Sequence, residues 1–292
     1  MHALSATLAI LGPGTLGLST AQWAAECGLA TRLLGRDQAH AEAGLQEIHH
    51  RWDRAVAKGR MSRESRACSM ERLSAAAFNA AALEEASAFL EALPEVPEIK
   101  APALSTAITW GSPQLLVLSG TSALPITDLA LRARAVGRLV GFHLFVPVTR
   151  MAVVEMAIPD GTAQVWVDRA RTLGAELRKQ VVQVRDQPGF AAARMSLALG
   201  LEAIRLVESG VASAEDLDTL MTLGYGHPVG PLELSDRVGL DLRLRIAEGL
   251  HASGEDRFQP PELLQSKVTT GQTGLKSGQG FHAWTATRRQ TW

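Results

Sequence analysis

Residues 6–17 read ATLAILGPGTLG, a short apolar run closed by glycines at 12, 14 and 17, and STAQWAAECG follows with apolar residues at helical spacing. A strand running straight into a glycine-rich turn and then a helix leaves few folds open. In a G-x-G-x-x-G so placed, Gly12 permits the tight turn, Gly14 lets the backbone approach a pyrophosphate, and Gly17 lets the helix pack on its strand. The segment predicts the start of a dinucleotide-binding domain, with Gly12, Gly14 and Gly17 as cofactor-binding residues.

The same alternation continues along the chain. ATRLL (30–34) leads into a helix over 37–58 with Leu45, Ile48, Trp52 and Val56 on one face. SAFLEAL (87–93), QLLVLS (114–119), RLVGFHLF (138–145) and QVVQVR (180–185) are further strand candidates, separated by helical stretches. This predicts an α/β fold whose N-terminal part is a Rossmann-type, doubly wound, mostly parallel sheet. Past DQPGF (186–190) the windows are helical and amphipathic, as in ARMSLALGLEAIRLVESG and in SAEDLD, where Ser213 can cap a helix with Glu215 and Asp216 in its first turn. The expected division is a dinucleotide-binding domain over 1–187 and an all-α domain over 188–292.

Composition excludes several classes of function. The 29 Lys and Arg are spread among 30 Asp and Glu with no long basic block, so neither nucleic acid nor an anionic membrane is an expected partner. Cys27 and Cys68 are too few for a disulfide framework or a zinc site, and no His, Cys, Asp and Glu fall at metal-ligand spacing, His49-His50 included. The first apolar stretch lacks a basic start and no run reaches the length of a membrane span, so a cytoplasmic protein is expected.

The end of the second strand bears on the choice of dinucleotide, because an NAD enzyme needs an acid there for the ribose 2′-hydroxyl. The chain reads Gly35-Arg36-Asp37. If the strand ends at Gly35, the Arg36 guanidinium faces a 2′-phosphate and favours NADP; a shifted turn would bring Asp37 to the ribose, as for NAD.

The stretch GFHLFVPVTRMAVVE (141–155) puts His143 inside an apolar run and Glu155 at the end of another. Oxidising a secondary alcohol by hydride transfer needs a base near neutral pH, which imidazole supplies, and a carboxylate beside the ring fixes its tautomer and supports its charged form. If the two strands are neighbours, the pair forms a dyad.

Nearly the whole chain resembles the 3-hydroxyacyl-CoA dehydrogenase family of the short, single-function type. The matching stretches are GPGTLG (12–17), AVAKG (55–59), SGTSALPIT (119–127), VGFHLFVPV (140–148), VVE (153–155), DQPGF (186–190), EAIRLVESGVASAEDLD (202–218), GHPVGPLELSDRVGLD (226–241) and GLKSGQGF (274–281). The resemblance implies NAD(P)-dependent interconversion of 3-hydroxyacyl-CoA and 3-oxoacyl-CoA in fatty acid metabolism. It also implies a homodimer joined through the helical domain, and a substrate held between the domains. It makes His143 the general base, Glu155 its orienting acid, and Ser122 a hydroxyl near the substrate oxygen and nicotinamide. Glu95, Lys100 and Lys276 match cofactor-contacting positions. Lys58 matches a CoA-contacting lysine, and Arg51 and Arg54 share its helix and could attract the CoA 3′-phosphate.

Three family asparagines are missing. Gly120 stands in the family's S-N-T-S, Val146 in its H-F-F-N-P, and Ala193 before Arg194. Compositional drift is one reading, since Asn79 is the only asparagine in the chain. The others are a dehydrogenase of a different 3-hydroxy acid, free or on a carrier protein, and a nucleotide-binding homologue without catalysis.

Overall fold

A computed structural model describes residues 7–285. The chain divides into two compact units, one reaching to Phe190 and the other starting at Ala191.

The first unit runs β1 (Thr7–Leu11), α1 (Thr15–Glu26), β2 (Thr31–Gly35), α2 (Gln38–Ala57), α3 (Arg63–Glu71), β3 (Leu73–Ala77), α4 (Ala80–Leu83), β4 (Ala86–Glu91), α5 (Pro97–Trp110), β5 (Leu116–Ser119), α6 (Ile126–Ala133), β6 (Val140–Leu144), β7 (Val153–Ile158), α7 (Gln164–Glu176) and β8 (Gln180–Arg185). Ala6, expected to open the first strand, lies outside the described residues. The eight strands form one sheet in the order β3-β2-β1-β4-β5-β6-β7-β8. Pairing is parallel from β3 to β6, antiparallel between β6 and β7, and parallel again between β7 and β8.

A parallel strand covered on both faces must be apolar throughout, and β1 shows the consequence. Leu8 and Ile10 belong to a core layer shared with α1, α2 and α7, whereas Ala9 and Leu11 belong to the opposite layer with α5 and α6. Two differences from the sequence reading have physical causes. β3, LSAAA, has little β-branched content and lies at the sheet edge, so neither propensity nor hydrophobicity marks it. The buried stripe of α2 is Ala41, Gly44, Ile48 and Trp52, leaving Leu45 and Val56 half-buried. Gly44 sets this rotation, because a Cβ there would stand 2.7 Å from Pro13 Cβ and 2.8 Å from Leu33 Cδ2, so the helix comes down on the glycine.

The second unit comprises α8 (Ala192–Glu208), α9 (Ala214–Thr219), a π-helical turn (Leu220–Gly224), α10 (Pro231–Val238), α11 (Leu240–Ala252), a 3-10 turn (Asp256–Phe258) and α12 (Glu262–Thr269). Leu197, Leu201, Ile204, Leu232, Leu250 and Phe258 make its core. Two buried carboxylates organise its ends. Asp218 receives the Leu232 and Glu233 N–H groups at the start of α10, both at 2.8 Å, and His282 Nε2 lies 2.7 Å from Asp218. Asp236 receives the N–H groups of Phe281 and His282 and the Trp284 indole, each at 2.9 Å. Among the described residues no helix is long and apolar enough to cross a membrane.

Candidate active site

The glycine-rich turn is as tight as its spacing requires. Gly12 has φ of 108°, and a Cβ there would lie 2.7 Å from the Ala92 carbonyl oxygen; one at Gly17 would lie 1.9 Å from the Gly12 oxygen. Gly14 differs, with nothing within 4 Å of where its Cβ would be. It is the N-cap of α1 and supplies no side-chain cap, so the first-turn N–H groups of the helix face open space with the dipole behind them. That cradle fits the pyrophosphate of a dinucleotide.

β2 ends at Gly35, and there no side chain fits. A Cβ would stand 2.6 Å from the Ala41 backbone nitrogen. Asp37 caps α2 by accepting the His40 N–H at 2.7 Å, and this hydrogen bond holds its carboxyl below the usual range. Arg36 is 81% exposed and touches Asp37 at 3.3 Å.

His143 and Glu155 sit directly opposite one another in the antiparallel ladder of β6 and β7. Side chains opposed in this way project from the same face of the sheet, so register alone brings ring and carboxylate together. Nδ1 of His143 lies 2.9 Å from Glu155 Oε2, with Glu155 3% exposed. Nε2 is left as the nitrogen open to a ligand. Phe145 and Phe190 flank the ring at centroid distances of 4.4 and 6.4 Å, and Phe190 holds a left-handed backbone at φ of 46°.

The loop carrying Ser122 is clamped by Glu95. One carboxylate oxygen accepts from Thr121 Oγ1 at 2.6 Å, Ser122 N–H at 2.9 Å, Ser122 Oγ at 3.3 Å and Ala123 N–H at 3.1 Å. Burial raises the Glu95 carboxyl, but the Lys100 charge and these donors prevail and hold it below its ordinary value. Ala123 O accepts from Gly189 N–H at 2.8 Å, which ties this loop to the segment bearing Phe190.

Lys100 departs from the sequence expectation of a cofactor contact. It is 1% exposed, donates to both oxygens of Glu91 at 3.0 Å and to the Leu93 carbonyl at 3.1 Å, and lies 3.2 Å from Glu95. Glu91 is itself buried, and burial pushes its carboxyl up against the pull of Lys100. The lysine neutralises two carboxylates inside the fold, a task invisible in sequence because Glu91 was not singled out.

Other expected site residues lie apart from this cluster. Lys276 pairs with Asp241 at 2.5 Å in the helical unit. Lys58 is the exposed C-cap of α2, while Arg51 and Arg54 share Glu47 at 2.9 and 3.6 Å. Beside the end of α2 a cavity of about 880 Å³ is lined by Trp23, Ser62, Arg60, Arg72 and Arg178. The sequence gave no sign that these arginines converge, since they come from three separate connections. At the positions of the missing asparagines, Gly120 has no space for a side chain, a Cβ there falling 2.9 Å from both the Glu91 carbonyl and Leu16 Cδ2. Val146 is 43% exposed and offers no donor.

Residues 7–187 match the profile of the NAD binding domain of 3-hydroxyacyl-CoA dehydrogenase, and residues 189–284 that of its C-terminal domain. A probable 3-hydroxybutyryl-CoA dehydrogenase of Bacillus subtilis is 34% identical over 274 residues, covering 94% of this chain and 95% of that protein. The crystal structure of (S)-3-hydroxybutyryl-CoA dehydrogenase from Ralstonia eutropha superposes with a TM-score of 0.91 at 29% identity, covering 96% of this chain and 99% of that one. An NAD+-dependent 5-formyl-3-hydroxy-2-methylpyridine 4-carboxylic acid 5-dehydrogenase matches with a TM-score of 0.76 at 29% identity, over 97% of this chain and 92% of that one.

Proposed function

The chain belongs to the 3-hydroxyacyl-CoA dehydrogenase family, a family of oxidoreductases, and from that premise we propose that it interconverts 3-hydroxyacyl-CoA and 3-oxoacyl-CoA with His143 as its general base. The contact that carries the proposal is the 2.9 Å approach of His143 Nδ1 to Glu155. With Nδ1–H donated to the carboxylate, Nε2 holds the lone pair and takes the proton of the substrate hydroxyl; Glu155 then supports the imidazolium and keeps the ring in place. In the reverse direction the same nitrogen returns the proton to the oxygen. Ser122, held by Glu95, donates a hydrogen bond to that oxygen. Gly12, Gly14, Gly17 and the uncapped start of α1 hold the dinucleotide, whose nicotinamide, when bound, supplies the acceptor for the hydride leaving C3. Lys100 acts by positioning Glu95 and so Ser122.

NADP is the favoured dinucleotide. No acid fits at Gly35, Asp37 is used as a helix cap, and the exposed Arg36 fork is free for a 2′-phosphate. The exposed Lys58 and the arginine-lined cavity beside the end of α2 suit the phosphates of CoA. A second copy of the chain covers the apolar side chains that the π-helical turn leaves in solvent: Leu220, Leu223 and Tyr225 are 60, 83 and 78% exposed.

A second reading, oxidation of a 3-hydroxy acid on another carrier or free, is favoured by the lack of amide donors at Gly120, Val146 and Ala193. A relative named for a pyridine carboxylic acid is consistent with it.

His143→Ala tests the central assignment. Turnover of acetoacetyl-CoA with NADPH or NADH is expected to fall by about 10²- to 10⁴-fold while nucleotide affinity stays nearly constant. Unchanged turnover would remove His143 as the base.

A further inference from the structure

Arg243, on α11, is a cation buried without a counter-charge. It is 4% exposed, and its Nη2 donates to Ser196 Oγ on α8 at 3.0 Å. Its Nε has no hydrogen-bond partner, and among the described residues it forms no ion pair. Each nearby acid is already engaged: Asp241 with Lys276, Asp236 by three N–H donors, and Glu255 by Arg194 and Arg257. Burial alone pushes the Arg243 guanidinium down to about 10.

The fold makes room for this side chain. A Cβ at Gly200 would come within 3.0 Å of Ser235 Oγ and 3.7 Å of Arg243 Nη1, so the glycine admits the guanidinium. Ala193, Ser196 and Gly200 recur at helical spacing on one face of α8, and Ala193 and Ser196 are half-exposed. The guanidinium thus stands beneath a small-residue face, one hydroxyl away from a partly open surface. A buried, unpaired charge is among the least favourable groups a fold can hold, and a fork of N–H donors with one hydroxyl acceptor is built for a planar anion.

We propose that Arg243, with Ser196 beside it, binds a carboxylate of the substrate. That group is either the far end of a dicarboxylic 3-hydroxyacyl thioester or the carboxylate of a free 3-hydroxy acid. This deepens the reading of the chain as a 3-hydroxyacyl dehydrogenase and rests on it, with α8 and α11 as substrate-holding helices.

The test compares 3-oxoadipyl-CoA with 3-oxohexanoyl-CoA, and separately free 3-hydroxybutyrate with its methyl ester, using the full-length enzyme. The acidic member is expected to be preferred at least tenfold in kcat/KM in one arm, and that arm identifies the source of the carboxylate. Arg243→Leu should reduce this preference ratio at least tenfold, Arg243→Lys should restore part of it, and Ser196→Ala, which leaves the cation in place, should reduce it less. No preference in either arm, or an Arg243→Leu variant that slows both members equally, overturns the proposal. Should no substrate turn over at all, the dehydrogenase reading fails by itself. Dissociation constants for adipyl-CoA and hexanoyl-CoA then read the same ratio by calorimetry, and equal values overturn the carboxylate site.

Discussion

A histidine in an apolar strand is costly to charge unless a partner shares its burial, and Glu155 supplies that partner through register alone. The same economy is absent at Arg36. Its guanidinium is solvated, and its contact with Asp37 at 3.3 Å is an exposed ion pair of little energetic weight. It is therefore free to exchange that contact for a phosphate. Arg36→Ala is expected to weaken NADPH binding roughly tenfold or more, as loss of charge-assisted hydrogen bonds would, and to leave NADH affinity nearly unchanged. Fluorescence titration with both nucleotides checks this, and tighter binding of NADH than NADPH by the unaltered protein would reverse the assignment. Lys100 shows the opposite lesson, since a lysine matching a ligand position proves to be enclosed by Glu91 and Glu95.

Among elements, the loop following β5 is the one whose geometry depends most on a single side chain. Glu95 accepts four hydrogen bonds from Thr121, Ser122 and Ala123 through one oxygen and faces Lys100 with the other. Its carboxyl lies below the ordinary 4.5. A carboxylate depressed by folding adds stability that is fully present above the unfolded value and is lost as pH falls through the folded one. Glu95→Gln is therefore expected to cost about 1–3 kcal/mol at pH 7, with the deficit shrinking as pH drops below about 4.5. Urea unfolding of both proteins at several pH values measures it; a deficit independent of pH would show that the charge is not what holds the loop. The helical elements behave differently. Asp218 and Asp236 fix the ends of their unit by accepting backbone N–H groups, a structural use of buried acids with no sequence signature.

At the scale of the whole molecule, apolar surface left in solvent decides the expected assembly. Leu223 and Tyr225 are each more than three-quarters exposed on the π-helical turn, with Leu220 beside them. A turn of this kind is a frequent functional irregularity, and one carrying several bare apolar groups calls for a cover. Sedimentation equilibrium is expected to give twice the 31.2 kDa of one chain, and Leu223→Glu combined with Tyr225→Glu should return the monomer. A monomeric unaltered protein would leave that surface to another partner.

The sequence by itself determined the glycine turn, the alternation that builds the sheet, the helical second half and the pairing of His143 with Glu155. Each of these is written in local periodicity or in the identity of residues at short spacing. Tertiary structure alone decided that β3 completes the edge of the sheet, that Lys100 is enclosed rather than presented, and that Arg60, Arg72 and Arg178 share one cavity. It also decided that Arg243 lies unpaired under Ser196 and Gly200. These depend on which distant segments meet, and the charge of a side chain in sequence says nothing about whether water, a carboxylate or neither will surround it once the chain has folded.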